Sequence, residues 1–269
     1  MSLDKLTVLV SSFDGFDACW PPFSHGMKRY WPGSPPIRLL TNFKHYEDGQ
    51  VKALPVGADQ GWSDNIRTAL QSVETPFVLY IQEDYWLQSP VDSAKLGRFV
   101  DLMEEHGGNY LRLIPCPPPD ADSGFEPEIG LIAAEAEYRT SLQAAIWRVE
   151  TLRELLVAGE SAWDFELVGT PRSRNLEGFW SVKTDAIDYL NSAIVKGRWI
   201  RPAFAWAKRE NFQVEWGKRQ RETWWHEFLR SGEAGRIAGI LAHKVNYLLK
   251  PERIVQKLKA RSDTRENVK

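Results

Sequence analysis

Residues 77–81 read Phe-Val-Leu-Tyr-Ile, an apolar run with no polar side, and Gln82-Glu83-Asp84 follows at once. A strand that is apolar on both faces must be covered on both, as a central strand of a parallel sheet flanked by helices is. Residues 92–106 then carry Leu96, Phe99, Val100 and Met103 at helical spacing and stop at Gly107-Gly108. Residues 110–114 form a second short apolar run. Strand, helix and strand in that order make a βαβ unit, which predicts an α/β fold with a mixed, mostly parallel sheet flanked by helices.

The rest of the chain can be read around that unit. Residues 7–10 predict a buried first strand that ends at Ser11-Ser12-Phe13-Asp14-Gly15. Residues 37–40 and 51–56 predict two more strands, the latter weakened by Pro55. Ser63 or Asp64 caps a predicted helix over 65–73, where Ile66, Leu70 and Val73 share a face. Residues 116–129 read as a long surface loop, and 141–147 as a short element. Residues 150–158 predict a helix and 167–177 irregular structure. Residues 183–195 predict a helix with Ile187, Leu190 and Ile194 on one side, and 199–205 a closing strand. From Glu222 the character changes to helical and basic. The predicted division is therefore a domain over 1–221 and a helical extension over 222–269.

The chain of 269 residues is long enough to bury a core without staples. Its 34 Lys+Arg against 36 Asp+Glu leave a net charge of −2, so no global basic excess suggests nucleic acid. Two cysteines, Cys19 and Cys116, point to a reducing compartment rather than a disulfide framework. No apolar run approaches the 18 residues of a membrane span, and the N-terminal stretch does not read as a signal peptide. The expected location is the cytoplasm. Residues 236–261 hold seven Lys/Arg and one acid, Glu252, among apolar residues at helical spacing. That segment is either a helix packed on the domain or a peripheral contact with the inner face of an anionic membrane. The 12 Trp suit a core or a sugar-stacking surface.

Phosphate-loop, dinucleotide, nucleophile-elbow and zinc-protease motifs are all missing from the sequence. Two acidic motifs remain. Glu83 and Asp84 stand at the C-terminal end of the central strand, where open α/β sheets bind ligands. A hard divalent cation shared with a diphosphate would stabilise adjacent carboxylates there. The second motif is Glu160-Ser161-Ala162-Trp163-Asp164-Phe165-Glu166. Asp164 and Glu166 are about 200° apart on a helix, so one of them at most faces a given site.

The order of the strand at 7–10, the segment Gly61-Trp62-Ser63-Asp64-Asn65, and Thr75-Pro76 leading into the strand and Gln82-Glu83-Asp84 resembles the nucleotide-binding half of GT-A-fold glycosyltransferases. In that superfamily a DxD motif after the strand holds a divalent metal on the donor diphosphate, and a distal acidic motif supplies the base. The resemblance implies a GT-A-like (Rossmann-like) fold and transfer of a sugar from a nucleoside-diphosphate sugar to a glycan or lipid-linked glycan acceptor, as in cell-surface polysaccharide biosynthesis. It implies Asp84, with Glu83, as ligands of Mn²⁺ or Mg²⁺, although Gln82 replaces the first acid of the motif. It places Ser11, Asp14, Asn65 and Arg67, with Glu83 and Asp84, around the nucleotide. Glu166 or Asp164 is the implied base, and Gln143, Trp147 and Trp163 face the acceptor. Arg172, Arg174, Lys208 and Arg209 are candidate diphosphate contacts, and His226 or His243 could complete a metal shell. A non-catalytic carbohydrate-binding scaffold and a sugar nucleotidyltransferase are the competing readings.

Overall fold

The structure, a computed structural model, describes residues 2–217, 219–223 and 227. The chain divides into two compact units, one of Met1–Ile194 with Pro202–Gly217 and one of Val195–Arg201 with Lys218–Lys269.

In chain order the elements are β1 (Leu6–Ser11), α1 (Trp20–Tyr30), β2 (Ile37–Thr41), β3 (Glu47–Asp48), β4 (Val51–Pro55), α2 (Trp62–Leu70), β5 (Phe77–Gln82), β6 (Trp86–Leu87), α3 (Ser93–Glu105) and β7 (Tyr110–Arg112). They continue with β8 (Ala121–Asp122), β9 (Ile129–Leu131), β10 (Ala145–Arg148), α4 (Val149–Leu155), α5 (Ala162–Arg172), β11 (Phe179–Val182), β12 (Tyr189–Leu190), β13 (Ile194–Val195), β14 (Arg198–Trp199) and α6 (Arg201–Arg209).

Ten of these strands make one sheet in the order β3-β4-β2-β1-β5-β10-β7-β11-β9-β8. Strands β4, β2, β1 and β5 run parallel. Strand β10 is antiparallel to both β5 and β7, and β11 is parallel to β7. The expected mixed α/β sheet is present, with most of its strands running in one direction. The βαβ unit of β5, α3 and β7 is present too, with the reversed β10 inserted between its strands.

The centre of the sheet is the most apolar part, as burial on both faces requires. Leu6, Val8, Leu9, Val10, Val78, Leu79, Ile81 and Ile146 are fully buried. Helix α3 starts where Asp92 accepts the Lys95 N–H and stops at Gly107, whose φ of 70° suits glycine. Helix α1 begins Trp20-Pro21-Pro22; prolines fit a first turn because its N–H groups have no helical partner.

Three expectations fail. Residues 167–172 are helical and only 173–177 irregular, because a capping box at Ser161 and Asp164 starts α5 and burial of Phe165 and Val168 holds it. Gly169 lets the helix approach its neighbour closely, since a Cβ there would lie 2.8 Å from Thr140 Oγ1. Residues 183–195 are not a helix. They bend so that β12 pairs with β6, and Ser192 takes a φ of 64° that a helix cannot hold. The predicted strand at 199–205 is mostly α6, whose Ala203, Trp206 and Ala207 share a buried face. Here helical periodicity outweighed strand propensity.

In the second unit, the backbone of Trp199 donates to Gln220 O and accepts from Glu222 N, at 3.0 and 2.7 Å. The predicted helices beyond Glu222, and the basic segment 236–261, lie outside the described residues, as do His226 and His243. Among the described residues no helix is long and apolar enough to cross a membrane.

Candidate active site

Pairing register brings the motifs together. Ser11 pairs with Gln82 across β1 and β5, Tyr80 pairs with Ala145, and Ala145 pairs with Arg112. The ends of β1, β5 and β7 and the turn leading into β10 therefore meet along one edge of the sheet. This is the C-terminal edge of the parallel strands, where α/β folds bind ligands.

Tyr80 lies at the base of this edge. Its hydroxyl accepts the Trp62 indole N–H at 3.0 Å and shares a hydrogen bond with Ser11. Burial raises its pKa well above the usual phenol value, and the nearby charges of Glu83 and Glu166 raise it further, so the hydroxyl stays neutral.

Glu166 sits on α5, partly buried, facing the turn at 141–142. Its Oε1 accepts the Leu142 N–H at 2.6 Å and the Ser141 hydroxyl at 3.4 Å. Burial raises the Glu166 carboxyl above its ordinary value; those two donors and the charge of Arg112 oppose the rise. A carboxylate with an elevated pKa and one oxygen without a bond to the turn is suited to accept a proton.

Glu83 and Asp84 are both buried where β5 ends. Asp84 Oδ2 accepts the Ile194 N–H at 3.3 Å, and its carbonyl accepts the Ala193 N–H. Its other oxygen, Oδ1, is buried without a hydrogen-bond partner. Burial lifts the Asp84 pKa to about 6. No group of three His, Cys, Asp or Glu is assembled to hold a metal among the described residues. Mg²⁺ is commonly held by one or two carboxylates together with substrate phosphates, so a buried oxygen lacking a partner beside a second acid fits a divalent cation.

Other candidates have structural roles. Asp164 belongs to the capping box, its Oδ2 accepting the Ser161 N–H at 3.1 Å while Ser161 Oγ accepts the Asp164 N–H. Asp14 binds the N–H groups of Asn42, Phe43 and Lys44 after β2. Burial raises the Asp14 carboxyl, but those three N–H groups outweigh it and leave its pKa below the usual value. Asn65 ties down Asp59 and Gln60, and Arg67 is exposed beside Asp64. Trp147 is a correction. It is wholly buried and packs on Tyr110, Phe165 and Phe179, so it offers no face to a sugar. Trp163, by contrast, is 57% exposed at the start of α5. Gln143 Oε1 accepts the Tyr189 hydroxyl at 2.7 Å. Arg172 is paired with both oxygens of Glu160, and Arg174 with Glu135. Arg209 pairs with Glu210, and Lys208 is exposed.

Sequence reading passed over Trp62, Tyr80 and Arg112. Two of them carry a signal in hindsight: Tyr80 is the hydroxyl-bearing residue of the run at 77–81, and Arg112 is a cation inside the apolar run at 110–114.

No known family model matches the chain, and no curated protein does. Solved structures do resemble it. TarS 1-349 of S. aureus is 12% identical with a TM-score of 0.49, over 70% of this chain and 60% of that one. A mannosyltransferase from Pyrobaculum calidifontis, solved with GDP-Man and Mn²⁺, is 10% identical with a TM-score of 0.44, over 72% and 58%. A cytidylyltransferase from Leptospira borgpetersenii is 13% identical with a TM-score of 0.39, over 64% and 71%. The chain thus spans about three fifths of the length of the first two. Likenesses this distant carry no argument about chemistry, which rests on the geometry above.

Proposed function

We propose that the chain is a glycosyltransferase that moves a sugar from a nucleoside-diphosphate sugar to a glycan or lipid-linked glycan acceptor. The observation that carries this reading is the presence of two acidic sites along one edge of the sheet. Glu83 and Asp84 are buried at the end of β5, and Glu166 on α5 binds the Leu142 N–H of the turn that leads into β10, the strand paired with β5.

In this reading the donor lies along the strand ends between Ser11 and Glu83-Asp84. Glu166 takes the proton of the acceptor hydroxyl as that oxygen attacks the anomeric carbon. The Leu142 N–H and Ser141 hydroxyl both bind Oε1, which orients the carboxylate and leaves Oε2 to receive the proton. Trp163 offers a stacking face to the acceptor sugar, and the Gln143 amide a hydrogen bond. Glu83 and Asp84 would hold a divalent cation, which when bound neutralises charge on the departing diphosphate. Attachment through 236–261 to a membrane bearing a lipid-linked acceptor belongs to the same proposal.

The test is a thermal-shift panel of nucleoside diphosphates and their sugars, with and without Mn²⁺. A ligand at about 100 times its Kd adds about 2.7 kcal/mol of stability. The reading expects a shift with one nucleotide, strengthened by Mn²⁺. Asp84→Asn keeps an acceptor for the Ile194 N–H and is expected to lose the Mn²⁺-dependent part. No response to any nucleotide, with a response to glycans, would replace the transferase by a carbohydrate-binding scaffold.

A further inference from the structure

Arg112 is 1% exposed at the end of β7, a cation inside the core. Its Nε donates to the Tyr110 hydroxyl at 3.3 Å, one terminal nitrogen to the Pro117 carbonyl and the other to the Tyr138 carbonyl at 2.8 Å. The Tyr110 hydroxyl in turn donates to the Ser141 carbonyl at 2.8 Å. Arg112 therefore grips both ends of the 138–141 turn, directly at one end and through Tyr110 at the other. Tyr138 takes a φ of 55°, the left-handed region that a side chain enters only when its surroundings compel it. The same turn presents the Ser141 hydroxyl and the Leu142 N–H to Glu166.

We propose that Arg112 is a positioning residue for Glu166, locking the strained 138–142 turn so that its two donors hold the Glu166 carboxylate in place. This rests on the reading of Glu166 as the base. A guanidinium suits the task because its planar fork serves several acceptors at once and it stays charged when buried. Its charge also favours the ionised form of Glu166. Among the described residues, Tyr80, Tyr85, Tyr110 and Tyr138 also sense the charge of Glu166; their pKa values are all raised and they stay neutral near pH 7.

The experiment follows the Glu166 carboxyl by ¹³C NMR of the full chain labelled at glutamate Cδ, with the signal assigned by its loss in Glu166→Gln. Arg112→Gln is expected to raise the Glu166 titration midpoint by about one unit, because a cation and the alignment of two donors are lost together. Arg112→Lys, which keeps the charge without the fork, recovers part of the shift. Tyr110→Phe removes the bridge from Arg112 Nε to the Ser141 carbonyl, leaves the Arg112 bonds to Pro117 and Tyr138, and moves the midpoint less, in the same direction. If Arg112→Gln does not fold, Tyr110→Phe decides alone. An unmoved midpoint in the folded variants overturns the proposal. Transfer measured in parallel separates the two readings. A wild-type chain without transferase activity, whose Glu166 midpoint still answers to Arg112, sinks the base assignment and leaves the positioning role standing.

Discussion

Glu166 and Asp164 stand two residues apart on one helix with different tasks, set by what each carboxylate touches. Asp164 faces the backbone of its own first turn, whereas Glu166 faces a turn from another part of the chain. Glu166→Gln is expected to lower kcat by about 10²–10⁴-fold, the usual contribution of a positioned base, with the donor-induced thermal shift unchanged. Steady-state kinetics beside the thermal-shift assay check both. The same carboxyl carries a pH dependence. Burial holds its folded pKa above the ordinary carboxyl value, so the native state holds the proton more tightly than the unfolded chain. Its contribution to stability is complete below the unfolded pKa and is lost as pH rises through the folded one. Glu166→Gln should therefore reduce the loss of Tm as pH rises above about 4.5. A Tm difference from wild type that stays constant with pH would contradict this.

At the scale of elements, α5 determines how well the site is built. Its capping box fixes where the helix starts, Gly169 lets it approach Thr140, and Phe165 anchors it in the core under Trp62 and Trp147. Ser161→Ala is expected to cost about 1 kcal/mol by removing the side-chain acceptor of the Asp164 N–H, measurable by denaturant unfolding. The folded fraction should keep most of its activity. A loss as large as that of Glu166→Gln would assign chemistry to the cap itself. The serine three residues before Asp164 is legible as a helix start, yet residues 167–177 read as irregular because Gly169 and Pro171 are poor helix formers. Tertiary burial of Phe165 and Val168 overrode that local preference. Helix 183–195 failed for the opposite reason, since Ile187, Leu190 and Ile194 reach the interior from a bent chain as readily as from a helix.

At the scale of the whole molecule, the 236–261 segment offers a test that does not depend on its structure. A net charge of −2 over the chain gives no general attraction to anionic lipid, so binding would have to come from the seven clustered cations. The full chain is expected to sediment with vesicles containing anionic lipid at low salt and to be released near 1 M salt, where screening falls to about 3 Å. Sedimentation that is insensitive to salt, or to reversal of Lys250, Arg253 and Lys257, would rule out an electrostatic contact.

By itself the sequence determined the α/β class, the central strand pair and the acids at its end, because these depend on short-range patterns of apolar residues and on where such patterns stop. The resemblance offered two neighbouring carboxylates for the proposed base. Only the tertiary structure gave the two different surroundings, since the partner of Glu166 is a backbone N–H 24 residues away in sequence, which helical periodicity does not register. The same holds for Trp147 and Arg112. A tryptophan reads alike in a core and in a sugar site, and a lone arginine reads alike on a surface and inside a hydrogen-bond hub. Their roles come from pairing register across β5, β10 and β7, which sets the neighbours each side chain meets.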